Sequence, residues 1–281
     1  MGSAVAVVTD STASLPAGLA ERHALTIVPL QIAVGGTTRD EGDISTAEAA
    51  RALKEWNPIT TSRPAPERFS DAYRAAADSG AREIVSVHLS AAMSGTVAAA
   101  RLAADAAPVP VRVIDSGTLG MGLGFAALSA AAAAMSGGTA DQVADAATRR
   151  AGLTRSLICV DTLEHLRRGG RIGAAATLLG SALMVKPLLD IRDGRIAPLE
   201  KVRTSSRALA RLEELAATEA GDRRVDLGVQ HLAATARAES LAARLRERVP
   251  HAEDVYVGEV GPVIGAHVGP GMLGVVVAPH L

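Results

Sequence analysis

Hydroxyl and carboxylate side chains cluster where short apolar runs end. Ala4–Val8 runs into Thr9-Asp10-Ser11-Thr12. Ile84–His88 runs into Ser90 and Ser94-Gly95, and a run ending at Ile114 leads to Asp115-Ser116-Gly117. Such residues cap helices, because their oxygens accept the free N–H groups of a first turn. They also line ligand sites, since open α/β sheets bind ligands beyond the carboxyl ends of their strands. Both readings apply here. Thr60-Thr61-Ser62 stands before Arg63-Pro64. The proline biases its predecessor toward extended geometry, so these hydroxyls are expected on a loop. His267 lies in Gly265-Ala266-His267-Val268-Gly269-Pro270-Gly271. Glycines let backbone approach closely, so this imidazole either meets a ligand in a loop or is simply structural. Arg171 follows two glycines and Arg203 follows Lys201-Val202. Each is either a solvated charge or a planar partner for phosphate.

Several chemistries fail on these residues. The only lysines are Lys54, Lys186 and Lys201, and none follows a glycine, so a Walker A loop is absent. Gly269, Gly271 and Gly274 spell a dinucleotide fingerprint, but too few residues follow for the required helix and strand. Gly120-Met121-Gly122-Leu123-Gly124 fits either a phosphate cradle or close helix packing. Ser94, His267 and Asp10 or Asp115 supply the parts of a serine hydrolase, yet no serine sits in a G-x-S-x-G elbow. Cys159 is the sole cysteine, which excludes an internal disulfide and a multi-cysteine metal site.

The elements that must position these groups are built from small aliphatic residues. Hydrophobic residues make up 48% of the 281 positions and aromatics only 2%, so the core is Ala, Val, Leu and Ile. Net charge is −1, without the basic footprint of a nucleic-acid binder. The apolar run at the N-terminus is too short for a signal peptide, and Ala6 stands where a myristoylation signal wants Ser or Thr. Ser116 to Ala140 carries no charge and is long enough to span a bilayer, but it is glycine- and alanine-rich without basic or aromatic anchors. A buried helix over Phe125 to Met135 is the better reading, and the chain is expected in the cytoplasm.

Val- and Ile-rich runs alternate with helical stretches, which argues for α/β layers with a largely parallel sheet. Strands are expected at Ala4–Val8, Thr26–Val34, Ile84–His88, Val111–Ile114 and Ser156–Val160, then Met184–Ile191, Ile196–Val202, Val225–His231, Asp254–Val260 and Val275–Ala278. A helix over Thr46–Glu55 is capped by Ser45 or Thr46, and one over Ala174–Leu179 follows the glycine pair that ends Thr162–Arg168. Asp193-Gly194 between two apolar runs reads as a hairpin turn. That antiparallel pair breaks the alternation and points to a second domain of mixed sheet. The expected division is 1–150 for a mostly parallel first domain and 151–281 for the second.

Beyond these local readings the chain resembles the DegV family. The resemblance is carried by Val8-Thr9-Asp10-Ser11-Thr12, Thr61-Ser62-Arg63-Pro64 and His88-Leu89-Ser90-Ala91-Ala92-Met93-Ser94-Gly95-Thr96. It continues through Asp161-Thr162-Leu163-Glu164-His165-Leu166-Arg167-Arg168-Gly169-Gly170-Arg171-Ile172-Gly173, Lys201-Val202-Arg203-Thr204 and Gly261-Pro262-Val263-Ile264-Gly265-Ala266-His267-Val268-Gly269-Pro270-Gly271. It runs from about residue 5 to the C-terminus with the motifs in the same order. Arg63 and Ala65 stand where the family commonly has Gln and Ser, and Asp161 where it commonly has Glu.

The resemblance implies a two-domain α/β protein with a long-chain fatty acid between the domains. It further implies a binding subunit, not itself an enzyme, that presents the acid to the ATP-binding subunit of a fatty acid kinase. No cofactor or metal is implied. By motif, Thr61, Ser94 and His267 hold the carboxylate, Arg171 and Arg203 serve phosphotransfer or partner docking, and Ser62, Gly95 and Phe125 line the site. Leu89, Met93, Met121 and Leu123 join Phe125 as wall residues by position. A hydrolase of acyl substrates using Ser94 and a lipid sensor without a kinase are the alternatives.

Overall fold

The computed structural model describes residues 4–178 and 185–281. The first stretch contains β1 (Val5–Asp10), α1 (Leu19–Arg22) and β2 (Leu25–Val28). Next come β3 (Gln31–Val34), β4 (Thr37–Asp40), α2 (Thr46–Lys54) and β5 (Ile59–Ser62). The chain continues through α3 (Pro66–Asp78), β6 (Glu83–His88), α4 (Thr96–Ala104), β7 (Val111–Asp115), α5 (Met121–Met135) and α6 (Ala140–Leu153). The last part contains β8 (Arg155–Cys159), α7 (Glu164–Arg168), β9 (Lys186–Arg192), β10 (Arg195–Val202), α8 (Ser205–Ala220), β11 (Val225–His231), α9 (Thr235–Arg248), β12 (Ala252–Glu259), α10 (Pro262–Val268) and β13 (Leu273–Pro279).

These elements form two units. Residues 4–31 and 62–153 make one; residues 32–61 and the described part of 154–280 make the other. The expected cut near residue 150 therefore misses an excursion, because residues 32–61 belong with the second unit. Side-chain chemistry explains it. Helix α2 packs on α10. The buried Glu41 carboxylate accepts from Val263 N at 2.8 Å, and Thr46 Oγ1 donates to Glu259 at 2.7 Å.

The first unit is a parallel four-stranded sheet in the order β2-β1-β6-β7. Its core gathers Val8, Val28, Phe69, Tyr73 and Ile84 with the alanines of α4. Helix α5 is buried over most of its length and packs against α6. It takes the place expected for Phe125–Met135, starting four residues earlier, and no described helix is long and apolar enough to cross a membrane. The second unit has a six-stranded mixed sheet, β10-β9-β8-β13-β11-β12, in which only β11 and β12 run parallel. Leu188, Leu212, Leu227, Val229 and Val275 are among the residues of its core. Asp193 (φ 49°) and Gly194 (φ 71°) turn the β9–β10 hairpin, where a two-residue turn requires positive φ at both positions.

Local sequence misled at four places. The single strand expected over Thr26–Val34 is two strands in different sheets, because Pro29 between them has no N–H to continue a ladder. Thr60-Thr61-Ser62 is not a loop but lies within strand β5 of a three-stranded sheet, β4-β3-β5. Residues Gly173–Leu178 form a 3-10 turn where an α-helix was expected to Leu179, which is outside the described residues, as is Met184. His267 sits in helix α10, not in a loop, since Pro262 at its first turn is pre-set for helical φ.

Candidate functional site

Thr61 and His267 meet in the second unit. Along β5 the burial alternates, with Ile59 and Thr61 half-buried and Thr60 and Ser62 exposed. A strand turns successive side chains to opposite faces, so of the three hydroxyls Thr61 is the one turned inward. His267 is in the last turn of α10, and its Nε2 lies 2.8 Å from Thr61 Oγ1. The other ring nitrogen, Nδ1, is buried without a hydrogen-bond partner. It faces Gly169, where a Cβ would stand only 2.1 Å away. An orphaned buried N–H is rarer than an orphaned acceptor. The proton is therefore assigned to Nε2, which donates to Thr61 Oγ1 and leaves the threonine O–H free to donate outward.

A cavity of about 350 Å³ opens beside this pair. Trp56, Thr60, His165, Arg168 and Arg171 line it, and among the described residues no Asp or Glu contributes to its wall. Arg171 Nη1 donates to the Gly169 carbonyl at 2.6 Å, which fixes the guanidinium across the turn after α7. Trp56, half-exposed and in a left-handed backbone conformation, stacks on the buried ring of His165 with centroids 5.0 Å apart. The Arg168 guanidinium lies 4.5 Å from the same indole. Gly269 (φ 76°) completes the packing, because a Cβ there would meet His165 Cδ2 at 2.2 Å.

Burial, and secondarily the Arg171 charge, pushes His267 down to about 4 from its ordinary 6.5. Burial likewise lowers His165, with Arg168 adding to it, and His231. All three imidazoles are neutral in the folded protein at pH 7. Between about 6.5 and 4 the unfolded chain takes up protons that the folded chain refuses, so stability falls as pH falls through that window. Urea unfolding at pH 7.5 and pH 5 should show a lower midpoint at pH 5, and His267→Gln should reduce the difference. Equal midpoints would contradict this assignment.

The remaining expected site residues are placed as follows. Ser94 is half-buried just before α4; its hydroxyl hydrogen-bonds Thr96 Oγ1 at 2.8 Å. Gly95 is exposed beside it, with the Arg63 side chain laid against its α-carbon. Ser62 is exposed and donates weakly to Gln31 at 3.4 Å. Phe125 is fully buried in the first unit's core, with Arg150 5.7 Å from its ring. Leu89, Met121 and Leu123 are buried in that unit too. Arg203 is exposed between β10 and α8 and is not part of the cavity wall.

The polar strand ends of the first unit mostly cap and bridge. Asp115 accepts from Ala91 N and Gly117 N, and Ser11 Oγ accepts from Leu30 N. Asp10 binds Thr12 and Leu89 N, and its imidazole partner is His88 at 3.0 Å. His88 in turn bonds Ser86 at 2.6 Å. Ser86, His88 and Asp10 thus stand in the order of a hydrolase triad, but all three are fully buried and Tyr73 O–H occupies the serine at 2.9 Å. No substrate reaches that serine.

Sequence reasoning missed Trp56, His165, Arg168 and Gly169 as parts of the cavity, and Glu41 as the clamp on α10. A single tryptophan in a chain so poor in aromatics was the one available signal.

Comparison with known proteins agrees with this architecture. A family model described as an uncharacterised protein of the DegV family matches residues 4–280. A DegV domain-containing protein of Streptomyces coelicolor is 59% identical over 279 residues, covering 99% of both chains. The solved structure of a DegV family protein from Thermus thermophilus, described for its fatty acid binding, superposes with a TM-score of 0.89 at 31% identity, over 98% of this chain and 99% of that one. The structure of DegV from Bacillus subtilis, described as a fatty acid binding protein, gives 0.90 at 30% identity, over 99% and 100%. On the family match and the Streptomyces relative together, this chain belongs to the DegV family.

Proposed function

We propose that this protein binds a long-chain fatty acid and presents its carboxylate to the ATP-binding subunit of a partner kinase, which converts it to an acyl phosphate. The observation that carries the reading is the Thr61–His267 pair, set beside a cavity whose wall, among the described residues, holds two arginines and no carboxylate. Two solved structures at 30% and 31% identity described as fatty-acid-binding support the ligand class.

Enclosing an acyl chain contributes about 0.8 kcal/mol per buried CH₂, whereas a buried carboxylate without donors is costly. In this reading His267 does not itself touch the acid. It donates Nε2–H to Thr61, and Thr61 donates its own proton to the carboxylate. Ser94 is the second hydroxyl donor, as the family motif implies. Arg171 and Arg203 neutralise the phosphoryl group or meet the kinase subunit. A carboxylate oxygen attacks the terminal phosphorus of ATP on that subunit, and ADP leaves.

Mass spectrometry of lipid extracted from protein purified under native conditions should yield a long-chain acid near one per chain. Thr61→Val keeps the shape and removes the donor, so it should weaken acid binding on the order of tenfold. His267→Ala should weaken it less than Thr61→Val, because it acts through the threonine. Absence of lipid, together with unchanged acid affinity in Thr61→Val and Ser94→Ala, would reject the reading. Acyl phosphate formed only when a kinase subunit and ATP are added separates a kinase substrate carrier from a lipid sensor.

A further inference from the structure

We infer that Arg63 is a specificity-determining residue of the head-group site, an exposed cation laid against Gly95, next to Ser94 in the chain, that selects an ionised carboxylate over a neutral head group. The inference rests on the proposed role of Ser94 in holding that head group. Arg63 Nη1 and Cδ lie 2.9 and 3.0 Å from the point where a Cβ on Gly95 would stand. The side chain is therefore laid across Gly95, and only the missing methyl there admits it. Gly95 has φ −77°, open to any residue, so it is the space and not the backbone freedom of glycine that is used.

Three further observations bear on what the guanidinium does there. Pro64, which is buried, holds Arg63 in extended geometry and limits where its side chain can reach. Arg39, Arg155, Arg167, Arg211 and Arg244 each pair with a carboxylate, whereas Arg63 has no hydrogen bond or ion pair among the described residues. Arg63 is also two residues from Thr61, a span of about 7 Å along an extended chain.

The first turn of α4, next to Gly95, has no acidic residue. A cation resting near the positive end of a helix is electrostatically unfavourable by itself, and an anion placed beside both relieves it. Arginine is suited to that anion, since its planar fork matches the two oxygens of a carboxylate. Arg63 is exposed, and an arginine that did not meet the head group would give neither selectivity nor dependence on Gly95.

The test compares oleate with oleyl alcohol, alike in chain and different in charge. Their affinities are measured by calorimetry at low and high salt for the delipidated full chain, R63Q, G95A and the double variant. R63Q should lose roughly five- to tenfold in oleate affinity and none in alcohol affinity, as expected for one exposed charge-assisted contact. G95A should reproduce that loss by displacing the guanidinium, and adding it to R63Q should cost nothing more. Salt should weaken oleate binding to the parent chain more than to R63Q. Oleate affinity unchanged in both single variants, or acid and alcohol weakened alike, overturns the role of Arg63. A parent chain that binds neither oleate nor oleyl alcohol overturns the fatty-acid reading, and this inference with it.

Discussion

Gly169→Ala is expected to destabilise the protein and to lower fatty acid affinity about as much as His267→Ala does, by less than about tenfold, although residue 169 carries no functional group. The backbone there is ordinary, with φ −74°, so alanine meets no conformational objection. The objection is spatial. A methyl at 169 would stand 2.1 Å from His267 Nδ1 and 2.7 Å from Cε1, inside the van der Waals radius of the ring, and 3.2 Å from the His165 carbonyl. The imidazole must swing away, taking Nε2 from Thr61. Both the Thr61–His267 hydrogen bond, which the proposed function uses, and the packing of α10 on α7 suffer. Overpacking of this kind costs about 1–3 kcal/mol of stability. The double variant Gly169→Ala/His267→Ala provides the check. With the ring removed the clash disappears, so the urea midpoint should return toward that of His267→Ala alone, while acid affinity remains weak. A double variant as unstable as Gly169→Ala would show that the methyl clashes with backbone instead.

Asp10→Ala is expected to destabilise the first unit by about 3–5 kcal/mol, the largest stability effect of any single polar substitution considered. The Asp10 carboxylate is fully buried and accepts from Thr12 N, Thr12 Oγ1, Leu89 N and His88 Nδ1. A continuous chain of donors leads to it: Tyr73 O–H to Ser86, Ser86 O–H to His88 Nε2, and His88 Nδ1–H to Asp10. Burial pushes the Tyr73 hydroxyl up to about 12, so it remains a donor at any working pH. Deleting the carboxylate strands several buried donors at once, and each such donor costs about 1–3 kcal/mol. Tyr73→Phe, at the far end, removes only one donor and should cost about 1 kcal/mol. Urea denaturation of both variants tests the ranking; equal losses would mean that the groups do not act as one network.

The order Ser86-His88-Asp10 carries a lesson about reading chemistry from side-chain sets. A hydroxyl, an imidazole and a carboxylate in sequence are the parts of a nucleophile. Here they clamp β1 to β6 within one sheet. What separates a clamp from a catalyst is access, and access is a tertiary property.

Much of the architecture was legible in residue order because it is written in local chemistry. Alternating Val- and Ile-rich runs and helical stretches predict α/β layers. Asp193-Gly194 predicts its hairpin, since a two-residue turn needs two positive φ values and few side chains tolerate them. Ser45 caps α2 through Glu48 N at 3.1 Å, as its position demands. Of the two readings open for the hydroxyl-rich strand ends, capping is seen at Asp10, which caps the 3-10 turn after β1, while Asp115 closes a turn onto Gly117 N.

Only tertiary structure decided which hydroxyl meets the imidazole and what surrounds it. Thr60, Thr61 and Ser62 are chemically near-equivalent neighbours. Thr61 is singled out by the pleat of β5, a strand that forms because β3 pairs with it. Its partner His267 is 206 residues away, and no local pattern encodes so distant a pairing. The excursion of residues 32–61 into the second unit, held by Glu41 on α10, is likewise a matter of topology. Propensities and turn chemistry act over a few residues, so composition and spacing determine elements. A site assembled from separate elements depends on how the whole chain folds back, and that is set by the sum of packing between surfaces no short window contains.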